Sequence, residues 1–130
     1  MHQVDLESFL DHIADLLGEL GGEFIEGPTI DMDYQESIGI LETQIGFHTG
    51  HRLDVTITSA GPQSFPDWLD YSFQFMDAAG VCVFRYDNSP HHQGRYFPHH
   101  KHDGPLETVL DHPQPSLDQI VDEVRQVVHG

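Results

Sequence analysis

The hydrophobic positions change period twice along the chain. Leu6, Phe9, Leu10, Ile13, Leu16, Leu17 and Leu20 recur in steps of three and one, the spacing that lines one face of a helix. Asp11, Asp15 and Glu19 take the other side and Gly21-Gly22 stops the run, so a helix is predicted over 5–20. From Phe24 to Tyr86 the period falls to two, the signature of strands with one buried face. "FIEGPTIDM" reads as a weak first strand broken at Gly27-Pro28, and "SIGILETQIGF" as a better one. The second slips its alternation between Ile40 and Leu41, as a bulge would. Thr49-Gly50 makes a tight turn into a strand where Leu53, Val55 and Ile57 alternate with Asp54, Thr56 and Thr58. In "WLDYSFQFM", Leu69, Tyr71, Phe73 and Phe75 face one way while Asp70, Ser72 and Gln74 face the other. Asp77-Ala78-Ala79-Gly80 then turns into "VCVFRY".

Beyond Tyr86 the alternation ends among Pro90, Pro98, Pro105, Pro113 and Pro115, and the segment reads as loop. A last helix opens at Ser116, where Ser116-Leu117-Asp118-Gln119 fits a capping box. Leu117, Ile120, Val121, Val124 and Val128 give it an apolar face. The order helix, strands, loop, helix predicts class α+β, in one domain spanning 1–130. Its expected architecture is an antiparallel four- to five-stranded sheet with the N-terminal and C-terminal helices packed on one face.

Charge alters this picture. Acidic residues number 22 against five Lys and Arg, and Lys101 is the lone lysine of a chain with formal charge −17. A lysine-poor, carboxylate-rich surface fits a halophilic cell interior, where molar salt shortens the Debye length to about 3 Å and screens self-repulsion. The competing explanation is a surface that mimics nucleic acid or meets a basic partner. Under the salt-adapted explanation local charge, not total charge, indicates what the protein binds. Cys82 has no second cysteine to pair with and lies in an apolar run, which predicts a buried thiol. No run approaches the roughly 20 apolar residues of a membrane span, and the N-terminal residues lack the basic n-region of a secretory signal. A cytoplasmic protein with no membrane contact is expected.

Local charge singles out "FRYDNSPHHQGRYFPHHKH", residues 84–102, which holds Arg85, Arg95, Lys101 and five histidines with Asp87 as its only acid. Three chemistries fit. The first is RNA cleavage without metal. A neutral histidine would take the ribose 2′-proton and a protonated one would supply the leaving 5′-oxygen, because imidazole titrates near neutrality. Arg85, Arg95 or Lys101 would neutralise the phosphate, and Tyr86, Tyr96 or Phe97 would stack a base or, for the tyrosines, donate a proton. The second is a zinc or other transition-metal site on two to four histidines, completed by Asp87 or Asp103, although the spacings match no established finger or zincin pattern. The third is a stabilised turn with no chemistry, in which Asp87 and Asn88 bond their own backbone.

The same residues carry a resemblance. "RYDNSPHH" followed by "FPHHKH" resembles the signature of the TumE-like toxins of prokaryotic type II toxin–antitoxin modules, R-Y-D-N-x-P-H-H, a short spacer, then F-P-H-H-K-H. Ser89 stands where alanine is common, and Gln93-Gly94-Arg95-Tyr96 forms the spacer. The motif covers Arg85, Tyr86, Asp87, Asn88, His91, His92, His99, His100, Lys101 and His102. The resemblance implies a growth-arresting cytoplasmic toxin, silenced by a helix-turn-helix antitoxin that binds it and represses the shared operon. It supplies no reaction. The leading expectation is therefore a toxin acting as a metal-independent ribonuclease. His91, His92, His100 and His102 would be its acid–base residues and Arg85 and Lys101 its phosphate contacts. Tyr86, Asp87, Asn88 and His99 would be structural or accessory, and no cofactor would be needed. The alternative is a non-catalytic module that uses the same histidines to bind zinc or to dock a partner.

Overall fold

The computed structural model describes residues 6–60, 68–90 and 94–129. Helix α1 (Leu6–Gly18) leads into seven strands: β1 (Glu23–Asp33), β2 (Ile38–Gly46), β3 (Arg52–Ala60), β4 (Asp70–Met76), β5 (Cys82–Asp87), β6 (His100–Asp103) and β7 (Thr108–Asp111). Helix α2 (Leu117–His129) follows. Every strand pairs antiparallel with its neighbour in sequence, giving one meander of order β1-β2-β3-β4-β5-β6-β7.

The apolar half of each alternation faces a single core. Leu41, Ile45, Leu53, Val55, Ile57, Tyr71, Phe73, Phe75, Phe84 and Tyr86 pack there against Leu10, Ile13, Leu17 of α1 and Ile120, Val124, Val128 of α2. Both helices thus lie on one face, as the sequence pattern anticipates. The other face carries Gln44, Asp54, Thr56, Ser72 and Gln74, and among the described residues neither helix lies over it. Arg125 of α2 also donates to the Glu19 carbonyl just after α1 (3.1 Å).

The turns follow their sequence signals. Gly50 adopts φ 88° and donates to the Phe47 carbonyl, and Gly80 adopts φ 80° while Asp77 accepts from the Ala79 and Val81 amides. The Ser116 hydroxyl accepts from the Gln119 amide at 3.1 Å, the expected cap. Replacing Ser116 with alanine will cost about 1 kcal/mol, read as a lowered denaturant midpoint with an unchanged slope.

Two expectations are corrected. The sheet has seven strands, not four to five, because β6 and β7 arise in the segment that reads as loop. Each has only four residues, too short for a period to register, and "HKHD" offers no apolar alternation. Gly104 (φ 75°) and Glu107 (φ 50°) close the hairpin between them. The expected bulge in β2 is absent from its pairing with β3. β2 pairs with β3 in unbroken register through Ile40 and Leu41, and the irregularity lies in β1 around Gly27-Pro28. The apparent slip arises because Gly39 takes a buried position with no side chain. A Cβ there would lie 2.6 Å from Leu10 Cδ1, so helix α1 fills the space.

A histidine–aspartate–arginine cluster on the open sheet face

Alternation along β5 sends Phe84 and Tyr86 to the core and Arg85 and Asp87 to the open face. The β5–β6 register then sets His102 opposite Arg85 and His100 opposite Asp87, so four chemical side chains share one patch of sheet. Asp87 is its centre. One carboxylate oxygen, Oδ1, lies 2.8 Å from His100 Nε2 and accepts from the Ser89 amide at 3.0 Å. The other, Oδ2, lies 2.7 Å from Arg85 Nε and 3.8 Å from His102 Nε2. The arginine contact is close but misaligned: neither Arg85 Nε nor Asp87 Oδ2 makes a directed hydrogen bond, so the attraction is ionic.

The opposite nitrogen of His100, Nδ1, lies 2.9 Å from the Pro98 carbonyl. Both ring nitrogens therefore face oxygen acceptors. His102 differs. Its ring meets that of His100 edge-on at 5.0 Å. Burial pushes its imidazole below the ordinary value of 6.5, and the nearby charges of His100 and Arg85 push the same way. The Asp87 carboxylate and a hydrogen bond with the Glu107 backbone pull back. The net effect favours the neutral ring of His102. Burial sorts the four further: the side chains of Asp87 and His100 are 2% and 3% exposed, against 34% for Arg85 and 16% for His102. A buried Asp–His pair backs an Arg–His pair that reaches solvent.

The remaining motif residues lie elsewhere. Lys101 and Tyr86 are cross-strand partners on the helix face. There the Lys101 ammonium donates to Glu123 Oε2 of α2 at 2.9 Å and sits 5.0 Å from the Tyr86 ring centre, while the Tyr86 hydroxyl donates to the same carboxylate. Burial, then Glu123, drives the Tyr86 phenol well above its usual range. Lys101 thus joins β6 to α2 and is separated by the sheet from His100 and His102. Asn88 accepts from the Tyr71 amide (3.0 Å) and donates to the Leu69 carbonyl (2.8 Å), bridging to the start of β4. His99 stacks on Tyr71 with Nδ1 2.9 Å from its hydroxyl. His91 and His92 lie outside the described residues. Glu123 carries no motif signal of its own in the sequence. The place of Asp87 beside Arg85 does, since residues two apart on a strand share a face.

Residues 13–128 match the family model described as Toxin TumE. The chain belongs to the TumE toxin family. No curated protein and no solved structure matches it. Among the described residues of this TumE-family protein, no helix is long and apolar enough to cross a membrane. Its signature therefore splits between two faces of one sheet: Arg85, Asp87, His100 and His102 on the open side, Tyr86 and Lys101 on the helix side.

One further element borders the open-side cluster in this toxin-family chain. Asp111 of β7 is the cross-strand partner of His100, so its side chain projects from the same face. Its Oδ2 accepts from the Arg95 amide (2.8 Å) and its Oδ1 from the Tyr96 amide (3.0 Å). A Cβ at Gly94 would lie 2.5 Å from Asp111 Oδ1, which makes the glycine a condition of this contact.

Proposed function

We propose that this protein is the toxin of a toxin–antitoxin module and cleaves RNA by metal-independent acid–base chemistry at the open-face cluster. The observation that carries this is the cross-strand pairing of a solvent-reaching His102 with Arg85, backed by the buried Asp87–His100 pair. His102 takes the proton of a ribose 2′-hydroxyl, and the 2′-oxygen attacks phosphorus. The P–O5′ bond breaks, leaving a 2′,3′-cyclic phosphate and a 5′-hydroxyl. Arg85 neutralises the charge that builds on the phosphoryl oxygens. His91 or His92, a few residues beyond Asp87 in the chain, gives the leaving oxygen its proton. Asp87 and His100 touch no substrate in this scheme; they fix Arg85 and set the field in which His102 titrates.

The test is incubation of the purified protein with total RNA in the presence and absence of a chelator, with the new ends analysed. Cleavage that survives chelation and yields cyclic phosphate is expected. Arg85→Ala will lower the rate by about 10²–10³-fold, the typical loss on removing one charge-stabilising donor. Intact RNA at high enzyme, with or without chelator, overturns the proposal.

A specific observation favours a second reading, a bound transition ion such as zinc: Asp87, His100 and His102 each place a donor atom within 4.8 Å of the other two. Against it, the Arg85 guanidinium already lies on Asp87 Oδ2 and would oppose a second cation there. Near-stoichiometric metal after purification together with a melting temperature that falls on chelation would support the ion instead.

A helix-turn-helix antitoxin would hold the toxin silent in the cytoplasm. The acidic, lysine-poor composition fits a high-salt interior, where binding to RNA cannot rest on charge alone.

A further inference from the structure

We infer that the turn at residues 94–98 is a stacking platform for unpaired bases, which makes single-stranded RNA the substrate class of the cluster beside it. This rests on the ribonuclease reading above. The turn is held more firmly than a surface loop requires. The Asp111 carboxylate takes both the Arg95 and Tyr96 amides, the Phe97 amide donates to the Gly94 carbonyl (3.2 Å), and the His99 amide donates to the Tyr96 carbonyl (2.7 Å). Because Asp111 and His100 are paired on the open face, this backbone is fixed at the border of the cluster. The Pro98 carbonyl that meets His100 Nδ1 continues the same chain. At most about 10 Å of extended chain separates Phe97 from His100.

The side chains of this fixed turn do not use it to bury themselves. Tyr96 is 36% and Phe97 44% exposed, and the Arg95 guanidinium lies 5.4 Å from the Tyr96 ring centre. Two rings and a planar cation on a fixed turn that borders the sheet face bearing Arg85 supply what an unpaired nucleotide needs: aromatic faces for the base and charge for the backbone. Tyr86, the other tyrosine of the segment, is fully buried and cannot serve. A duplex hides its base faces and offers such rings nothing. Stacking also survives the salt that screens phosphate contacts.

The test uses a single-stranded 2′-O-methyl RNA oligomer, which binds but cannot be cleaved, and the same oligomer annealed to its complement. Affinity is measured across a salt series for the wild type, Arg85→Ala, Tyr96→Ala, Phe97→Ala and Tyr96→Phe. Loss of either ring should weaken single-strand binding roughly 5- to 100-fold, as for one base–aromatic contact, at every salt concentration and without altering the salt slope. Tyr96→Phe should retain binding. Arg85→Ala should instead reduce the slope by about one. Unchanged unfolding midpoints in the ring variants will show that folding is not the cause. Wild-type affinity in both ring variants, or equal affinity for the duplex, overturns the platform while RNA cleavage by the wild type leaves the catalytic reading standing. Failure of the wild type to bind and cleave RNA overturns both.

Discussion

Replacing His102 with alanine will lower RNA cleavage by about 10²–10⁴-fold, the usual worth of a positioned general base, while the protein stays folded. His102 is partly exposed and its neighbours Asp87 and His100 retain each other, so removal of the ring leaves no buried charge unpaired. The pH profile is the sharper readout. His102 sits below the ordinary histidine value of 6.5, chiefly through burial, so the acid limb of the rate profile will fall at lower pH than a free imidazole would give. Stability shares the sign. Between pH 6.5 and the lower native value, the unfolded chain takes up a proton at this position that the folded chain does not. The contribution is fully present above 6.5 and is lost as pH drops through that window. In His102→Ala both the acid limb and this part of the stability slope should vanish. An unaltered profile in the variant would remove His102 from the mechanism.

The second large effect is expected at Asp87. Its carboxylate meets His100 Nε2, accepts from the Ser89 amide and pairs ionically with the Arg85 guanidinium. Asp87→Ala leaves the Arg85 guanidinium and the buried His100 ring facing a void, and breaking a buried pair from one side costs about 3–5 kcal/mol. The denaturant midpoint should fall accordingly, and cleavage with it, because Arg85 loses the contact that orients it. Asp87→Asn keeps the shape and one acceptor and should cost less. If Asp87→Ala is within about 1 kcal/mol of the wild type, the Asp87–His100 pair is not what holds the cluster together.

Much of this was legible in the residues, and the gaps have physical causes. The α1 stripe from Leu6 to Leu20, the Ser116 cap and the turns at Gly50 and Gly80 each follow from a local rule, because each feature is decided within a few residues. Alternation likewise places His100 with His102 and sets Lys101 on the other side. Register is not local. That Arg85 meets His102, and Asp87 meets His100, depends on how the chain between residues 88 and 99 returns to the sheet, and no propensity within that stretch encodes the distance. β6 is invisible for a related reason: its residues are held by partners distant in sequence, Asp87 of β5 on one face and Glu123 of α2 on the other. The role of Lys101 shows the same limit. In a chain with one lysine, beside two histidine pairs, it reads as a phosphate ligand until the helix bearing Glu123 is placed against it.

The uninterrupted meander has a consequence for how the protein comes to exist. Every strand pairs with its predecessor, and four of the six connections have only four or five residues, so most of the sheet should form quickly from one hairpin to the next. Helix α2 is the exception. It must return across the sheet to cover Phe84 and Tyr86 and to bring Glu123 onto Lys101, and it leaves the ribosome after both strands that bear the cluster. A nascent chain can therefore lay out Arg85, Asp87, His100 and His102 in order before the reverse face of β5 and β6 is sealed. Completion of the fold would then hinge on a late docking event on the sheet face opposite the cluster.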